Sequence, residues 1–176
     1  MIIMDESYLI KELLDITINI NIKDINKNIN EIIHSKVKNK IEGVCIDSGF
    51  VINNSINIVN KSIGKIININ NKSFIEYNIK YDSRLLSPKK DNIINCYIDN
   101  INKLGIIAYI KLSEIIDIDE DNSDSELNNS PFIIIIPEKE IDDITKYNIG
   151  DNIDIIVIAT RIKYQSDKIQ IIGKIN

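Results

Sequence analysis

The residues equipped for chemistry are few and scattered. There is one histidine, His34, and two cysteines, Cys45 and Cys96, far apart in a chain of 176 residues. His34 sits on the polar edge of an expected helix with no catalytic partner set up for it by the sequence, so it reads as an idle exposed side chain. Two distant thiols in apolar surroundings give neither metal-ligand spacing nor a disulfide framework, and they read as small buried hydrophobes in a reducing compartment. No phosphate-binding loop and no nucleophile elbow occurs, so no cofactor is expected and no catalytic residue is assigned. Asp117, Asp119 and Asp121 resemble the start of a calcium loop, but Asn122 stands where glycine is needed and Asn128 where a bidentate glutamate is needed. The metal reading therefore fails on its own spacing.

What remains is binding chemistry. Tyr97, Lys103, Tyr109, Lys111, Arg161, Lys163 and Tyr164 fall in or beside strand-like stretches of the second half. Aromatic rings that stack on bases and cations that meet phosphates are the usual equipment for single-stranded nucleic acid. The competing reading is that the tyrosines pack the sheet edge and the cations solvate it. The formal net charge of -5 shows no global basic footprint. That charge is unevenly placed, because residues 114–126 alone hold seven carboxylates and no Lys or Arg. The rest of the chain is slightly basic. The segment 114–131 is acidic, polar and poor in aromatics, and is expected to be a flexible loop whose Ser123 and Ser125 suit an acidophilic kinase.

Isoleucine and asparagine dominate, so spacing and turn residues carry more information than composition. Alternation from Ile16 to Ile22 predicts a first strand within residues 7–22. Asp24 is placed to cap a helix whose apolar face is Ile25, Ile29, Ile32, Ile33 and Val37, with Lys27, Glu31 and Lys38 opposite. Residues 40–66 read as strand, turn at Asp47-Ser48-Gly49, strand, loop and strand, and residues 74–81 as a further strand entered through the Asn70-Asn71 turn. Ser87-Pro88 closes this α+β unit. A new pattern follows: alternating Ile94, Cys96 and Ile98, a turn at Gly105, a return over residues 106–112, a strand over 132–136 and a short helical turn over 138–144. Two last strands, 151–163 and 168–175, join at Gln165-Ser166-Asp167. Five strands with a short helix between the third and fourth is the order of an OB barrel. The expected fold class is thus an α+β N-terminal domain over residues 1–86, followed by an all-β OB domain over 87–176.

Residues 42–52 carry Glu42, Gly43, Cys45, Gly49, Phe50, Val51 and Ile52, followed by Gly64-Lys65-Ile66, Asn78-Ile79-Lys80-Tyr81, Ser87-Pro88-Lys89 and Gly105. In this order and spacing the chain resembles the seventh subunit of eukaryotic RNA polymerase II and the archaeal stalk protein that corresponds to it. The family's proline between first strand and helix is missing here. The resemblance implies a non-catalytic stalk subunit of a DNA-directed RNA polymerase. Its tip domain would dock on the polymerase core through Ser48, Gly49, Phe50, Ile63, Gly64 and Lys65, and its OB domain would lie near the nascent RNA and contact it weakly. Phe50 is then either an exposed anchor or a core residue beneath the helix. A smaller fourth subunit is the family's usual stalk partner. The AT-rich bias points to a large DNA virus that encodes its own polymerase, which would place the protein in the host cytoplasm or the virion. A free-standing OB-fold RNA-binding protein is the alternative. No secretion signal and no bilayer-length apolar run is present, so an intracellular protein without a membrane is expected.

Overall fold

Isoleucines at every second position leave a strand no choice of face, and burial follows that alternation along most of the chain. The computed structural model describes residues 7–25, 28–115 and 130–176. Among these residues the strands are β1 Leu9–Asn21, β2 Cys45–Ile46, β3 Gly49–Val51, β4 Asn57–Lys61, β5 Lys65–Ile69, β6 Lys72–Leu86, β7 Ile93–Asn102, β8 Gly105–Tyr109, β9 Phe132–Pro137, β10 Asn152–Arg161 and β11 Ile169–Ile175, with one α-helix, α1 Ile29–Ile41. The acidic residues 116–129, with the calcium-like spacing and Ser123 and Ser125, and Lys27 of the expected polar helix face, lie outside the described residues.

The chain divides into two compact units. Of the described residues, one unit comprises those within 10–43 and 51–85, and the other those within 7–9, 44–50 and 86–176.

In the helix-bearing unit, β6 is the strand on which β1, β4 and β5 all pair. Ile18, Ile20, Ile79 and Tyr81 point to one side and meet Ile33, Val37 and Ile41 of α1, so seven buried side chains make one core. Burial of each contributes about 1.5–3 kcal/mol, which is more than the helix could draw from its own propensity. The helix starts later than the sequence suggests. Asp24 ends a 3-10 turn, Ile22–Asp24, whose cap is Asn21, and the N-cap of α1 is Asn28, whose carboxamide donates to Glu31 at 3.1 Å. Ile41 is likewise the last helical residue rather than the first of a strand. Glu42 closes the final turn on the Lys38 carbonyl, and Gly43, at φ +70°, takes the chain out of the helix. Asn70 and Asn71 adopt φ of 47° and 61°, the left-handed pair that a two-residue hairpin between β5 and β6 requires.

In the other unit, five strands close on themselves in the order β10-β11-β9-β8-β7, with β7 pairing β10 to complete the barrel. Only β9 and β11 run parallel. This arrangement is consistent with an OB-like barrel. The interior is filled by Ile94, Cys96 and Ile98 of β7, Ile106 and Ala108 of β8, Phe132, Ile134 and Ile136 of β9, Ile155 and Val157 of β10, and Ile169 and Ile171 of β11, none more than 1% exposed. Irregular steps at Ile98/Asn100 and Val157/Ala159 supply the bends that closure needs. Between β9 and β10 the expected helical turn is present as two 3-10 turns, Glu138–Glu140 and Ile144–Lys146.

This unit also holds two segments from far up the chain. Tyr8 packs edge-on against Phe132 with ring centroids 5.9 Å apart, and its carbonyl accepts from the Ser87 amide at 2.7 Å. The β2–β3 hairpin pairs Cys45 with Phe50. Cys45 is further tied by backbone to the turn between β10 and β11, donating to Ser166 at 2.7 Å and accepting from Gln165 at 2.8 Å.

Candidate nucleic-acid interface

The antiparallel ladder between β7 and β8 sets Tyr97 directly opposite Tyr109 on the outer face of the barrel. Their rings lie 5.9 Å apart and tilted by 32°, and Lys111 Nζ sits 4.5 Å from the centre of the Tyr97 ring. Aromatic pairs and cation–π contacts of this kind each contribute on the order of 1 kcal/mol, enough to hold three half-buried side chains as one group. Of the seven candidates, these three are brought together. Lys103 is exposed in the two-residue turn from β7 to β8, next to Leu104, which is 83% exposed. Arg161 closes β10, and Lys163 and Tyr164 stand exposed in the turn to β11, where Gln165 takes a φ of 62°. Because Cys45 holds Gln165 and Ser166 by backbone, that turn is anchored at its far end.

Three polar residues extend the outer face, and sequence reading missed them. Asn95 lies opposite Asp154, and Tyr97 opposite Asn152, in the β7–β10 ladder. Asn95 Nδ2 donates to Asn152 Oδ1 at 2.6 Å and to Asp154 Oδ1 at 2.7 Å, while Asn152 Nδ2 donates back to Asn95 Oδ1 at 2.8 Å. The signal was available as polar residues alternating with the buried isoleucines of both strands.

The six docking candidates fall in both units: Ser48, Gly49 and Phe50 in the barrel unit, and Ile63, Gly64 and Lys65 in the helix-bearing one. Phe50 is 6% exposed and so is no open anchor, but it is buried in the barrel unit and is not among the side chains packed with the helix, so neither of its two readings holds as stated. Ile63 is 95% exposed and Lys65 is exposed, whereas Gly64 is half-buried and a Cβ added to it would run into Ile75 and Tyr77. His34 is exposed and lines a cleft of about 350 Å³ with Asn30, Asn57, Lys61 and three isoleucines.

Both thiols are buried and free. Burial, helped by the charge of Asp167, pushes Cys45 up to about 11, and burial with Asp154 pushes Cys96 up to about 12. The folded state therefore keeps protons that the unfolded chain releases above its ordinary value of 9.0. Stability is expected to be level below about pH 9 and to fall as pH rises from there through the folded values. The slope is on the order of 1 kcal/mol per pH unit for each thiol. Urea midpoints measured across this range check it, with a Cys96→Ala chain showing the shallower slope. At neutral pH neither thiol should react with a disulfide reagent unless the chain is unfolded.

Among the described residues no group of three or more His, Cys, Asp and Glu is placed to hold a metal ion, and no helix is long and apolar enough to cross a membrane. No protein-family model matches the chain, and no curated protein matches it.

Proposed function

We propose that the chain is a non-catalytic stalk subunit of a multisubunit DNA-directed RNA polymerase. In this reading its helix-bearing unit docks on the polymerase core, and its barrel, read as an OB fold, lies beside emerging RNA. The observation that carries the reading is the Tyr97–Tyr109–Lys111 group on the outer face of a closed five-stranded barrel. It is preceded in the chain by a helix-covered sheet that holds the Gly64-Lys65-Ile66 and Asn78-Ile79-Lys80-Tyr81 motifs in family order. Copurification from the native source tests it. RNA polymerase subunits, with or without a smaller stalk partner, should come down with the chain. Recovery of RNA without polymerase would favour a free-standing RNA-binding protein instead.

Ile63 is the residue to change for docking. At 95% exposure its replacement in Ile63→Asp should alter stability by less than about 0.5 kcal/mol while lowering polymerase recovery. Full recovery with Ile63→Asp would remove this turn from the docking surface.

The RNA contribution is small by charge arithmetic. Arg161, Lys103, Lys111 and Lys163 belong to the same chain as the six carboxylates of residues 116–129. Affinity is expected to be weak and steeply salt-dependent, and to matter when the polymerase already holds the transcript nearby. Removing residues 117–129 should strengthen RNA binding severalfold at low salt and change it little once the screening length falls to about 3 Å near 1 M salt. Equal affinities of the deleted and intact chains at low salt would refute the electrostatic account.

A further inference from the structure

The ladder of Asn95, Asn152 and Asp154 has a feature that packing alone does not require. The two carboxamides already satisfy one another, with Asn95 donating to Asn152 and Asn152 donating back. Asn95 uses its other N–H to fix one oxygen of Asp154, leaving the second oxygen without a hydrogen bond and the carboxylate without an ion pair among the described residues. An oriented, exposed carboxylate on a face that meets a polyanion lowers affinity for phosphates. It gains only where it meets N–H donors.

A nucleobase supplies such donors, and the position is suitable. Asp154 is the diagonal neighbour of Tyr97 across the β7–β10 ladder, because Tyr97 lies opposite Asn152 and Asp154 lies two residues on. Diagonal neighbours stand about 7–8 Å apart, within the span of one purine stacked at the tyrosine pair. Among the RNA bases, guanine alone presents two adjacent donors, N1–H and N2–H, on its Watson–Crick edge. Adenine, cytosine and uracil set a donor beside an acceptor, which would face the carboxylate with like partial charge.

We propose that Asp154, aligned by Asn95 and Asn152, accepts from the Watson–Crick edge of a guanine stacked at Tyr97 and Tyr109. This gives one guanine-selective position to binding that is otherwise sequence-tolerant. The inference rests on the reading of the barrel face as an RNA contact.

The test uses the full chain and fluorescein-labelled oligouridylates of about eight nucleotides, carrying at the centre uridine, guanosine, inosine, adenosine or cytidine. Guanosine should bind about tenfold tighter than adenosine or cytidine, with inosine, which keeps N1–H and lacks the exocyclic amine, in between. Asp154→Asn should abolish that preference while leaving the uridine oligomer bound, and Tyr109→Ala should weaken all five. Equal affinity for the five oligomers overturns the guanine site and leaves the RNA reading standing. So does an Asp154→Asn chain that tightens all five alike, which would mark the carboxylate as a mere repulsive charge. No binding of any oligomer at low salt overturns both.

Discussion

A Gly49→Val chain is expected to lose the folded barrel unit, whatever happens to its partners. Gly49 sits at φ +150°, and a Cβ there would fall inside contact distance of the Leu86 carbonyl oxygen, with the Ser87 side chain 3.2 Å away. A β-branched residue at such a φ costs on the order of 1–3 kcal/mol before any clash, and backbone oxygen cannot swing aside as a side chain can. A loss of at least about 3 kcal/mol follows, a large share of the stability of a domain this size. Thermal unfolding followed by circular dichroism checks it. Gly150→Ala is the control, because Gly150 has a positive φ of +91° but nothing within 4 Å of the added Cβ. It should cost only about 1 kcal/mol. A Gly49→Val chain as stable as the Gly150→Ala chain would show that the hairpin can shift. Any loss of association in Gly49→Val would therefore be no measure of the proposed docking, and Ile63→Asp asks that question cleanly.

The second large effect is expected from truncation. A fragment starting at Ser87 keeps all five barrel strands but loses Tyr8, which covers Phe132, and the hairpin whose Cys45 bonds the Gln165-Ser166 turn. Burial of Tyr8, Cys45, Ile46 and Phe50 contributes about 1.5–3 kcal/mol for each large side chain, and the aromatic contact about 1 kcal/mol more. The fragment should be less stable than the barrel unit of the intact chain by more than about 4 kcal/mol. Its amide spectrum should show broadened or missing signals at Phe132 and at residues 163–168. Adding a peptide covering residues 44–50 in trans should not restore the unit, since that peptide supplies only part of the missing surface. A fragment with a fully dispersed spectrum and an unchanged melting temperature would make these contacts dispensable.

Local features of the fold were legible because local chemistry determines them. Asn70 and Asn71 are residues that tolerate the left-handed region, and both adopt it. Ile94, Cys96 and Ile98 alternate and all three face the barrel interior. Helix onset was harder, since asparagines and aspartate at 21, 24, 26 and 28 all suit a cap and only tertiary packing of Ile29, Ile33 and Val37 chooses among them. Isoleucine misleads in the same way: Ile63 and Ile66 are 95% and 67% exposed, so the residue type that fills both cores also covers open surface. The pairing of Cys45 with residues 165 and 166 spans more than half the chain, and nothing local to either segment announces it. At the candidate interface, Tyr97 and Tyr109 were visible as aromatics. Their being opposite one another depends on the register between β7 and β8, and the Asn95–Asn152–Asp154 ladder depends on that between β7 and β10.

The borrowing of residues 7–9 and 44–50 by the barrel unit sets an order of events during synthesis. The helix-bearing unit is complete once residue 85 has emerged, and it can form while the remainder is still being made. Tyr8, Cys45 and Phe50 have by then left the ribosome, yet their partners Phe132, Gln165 and Ser166 have not. At about 5–20 residues per second the wait for Cys45 is on the order of ten seconds. During that interval Tyr8 and Cys45 lack the ring and backbone partners that they have in the finished barrel unit. Slowing translation after residue 86 would lengthen that interval.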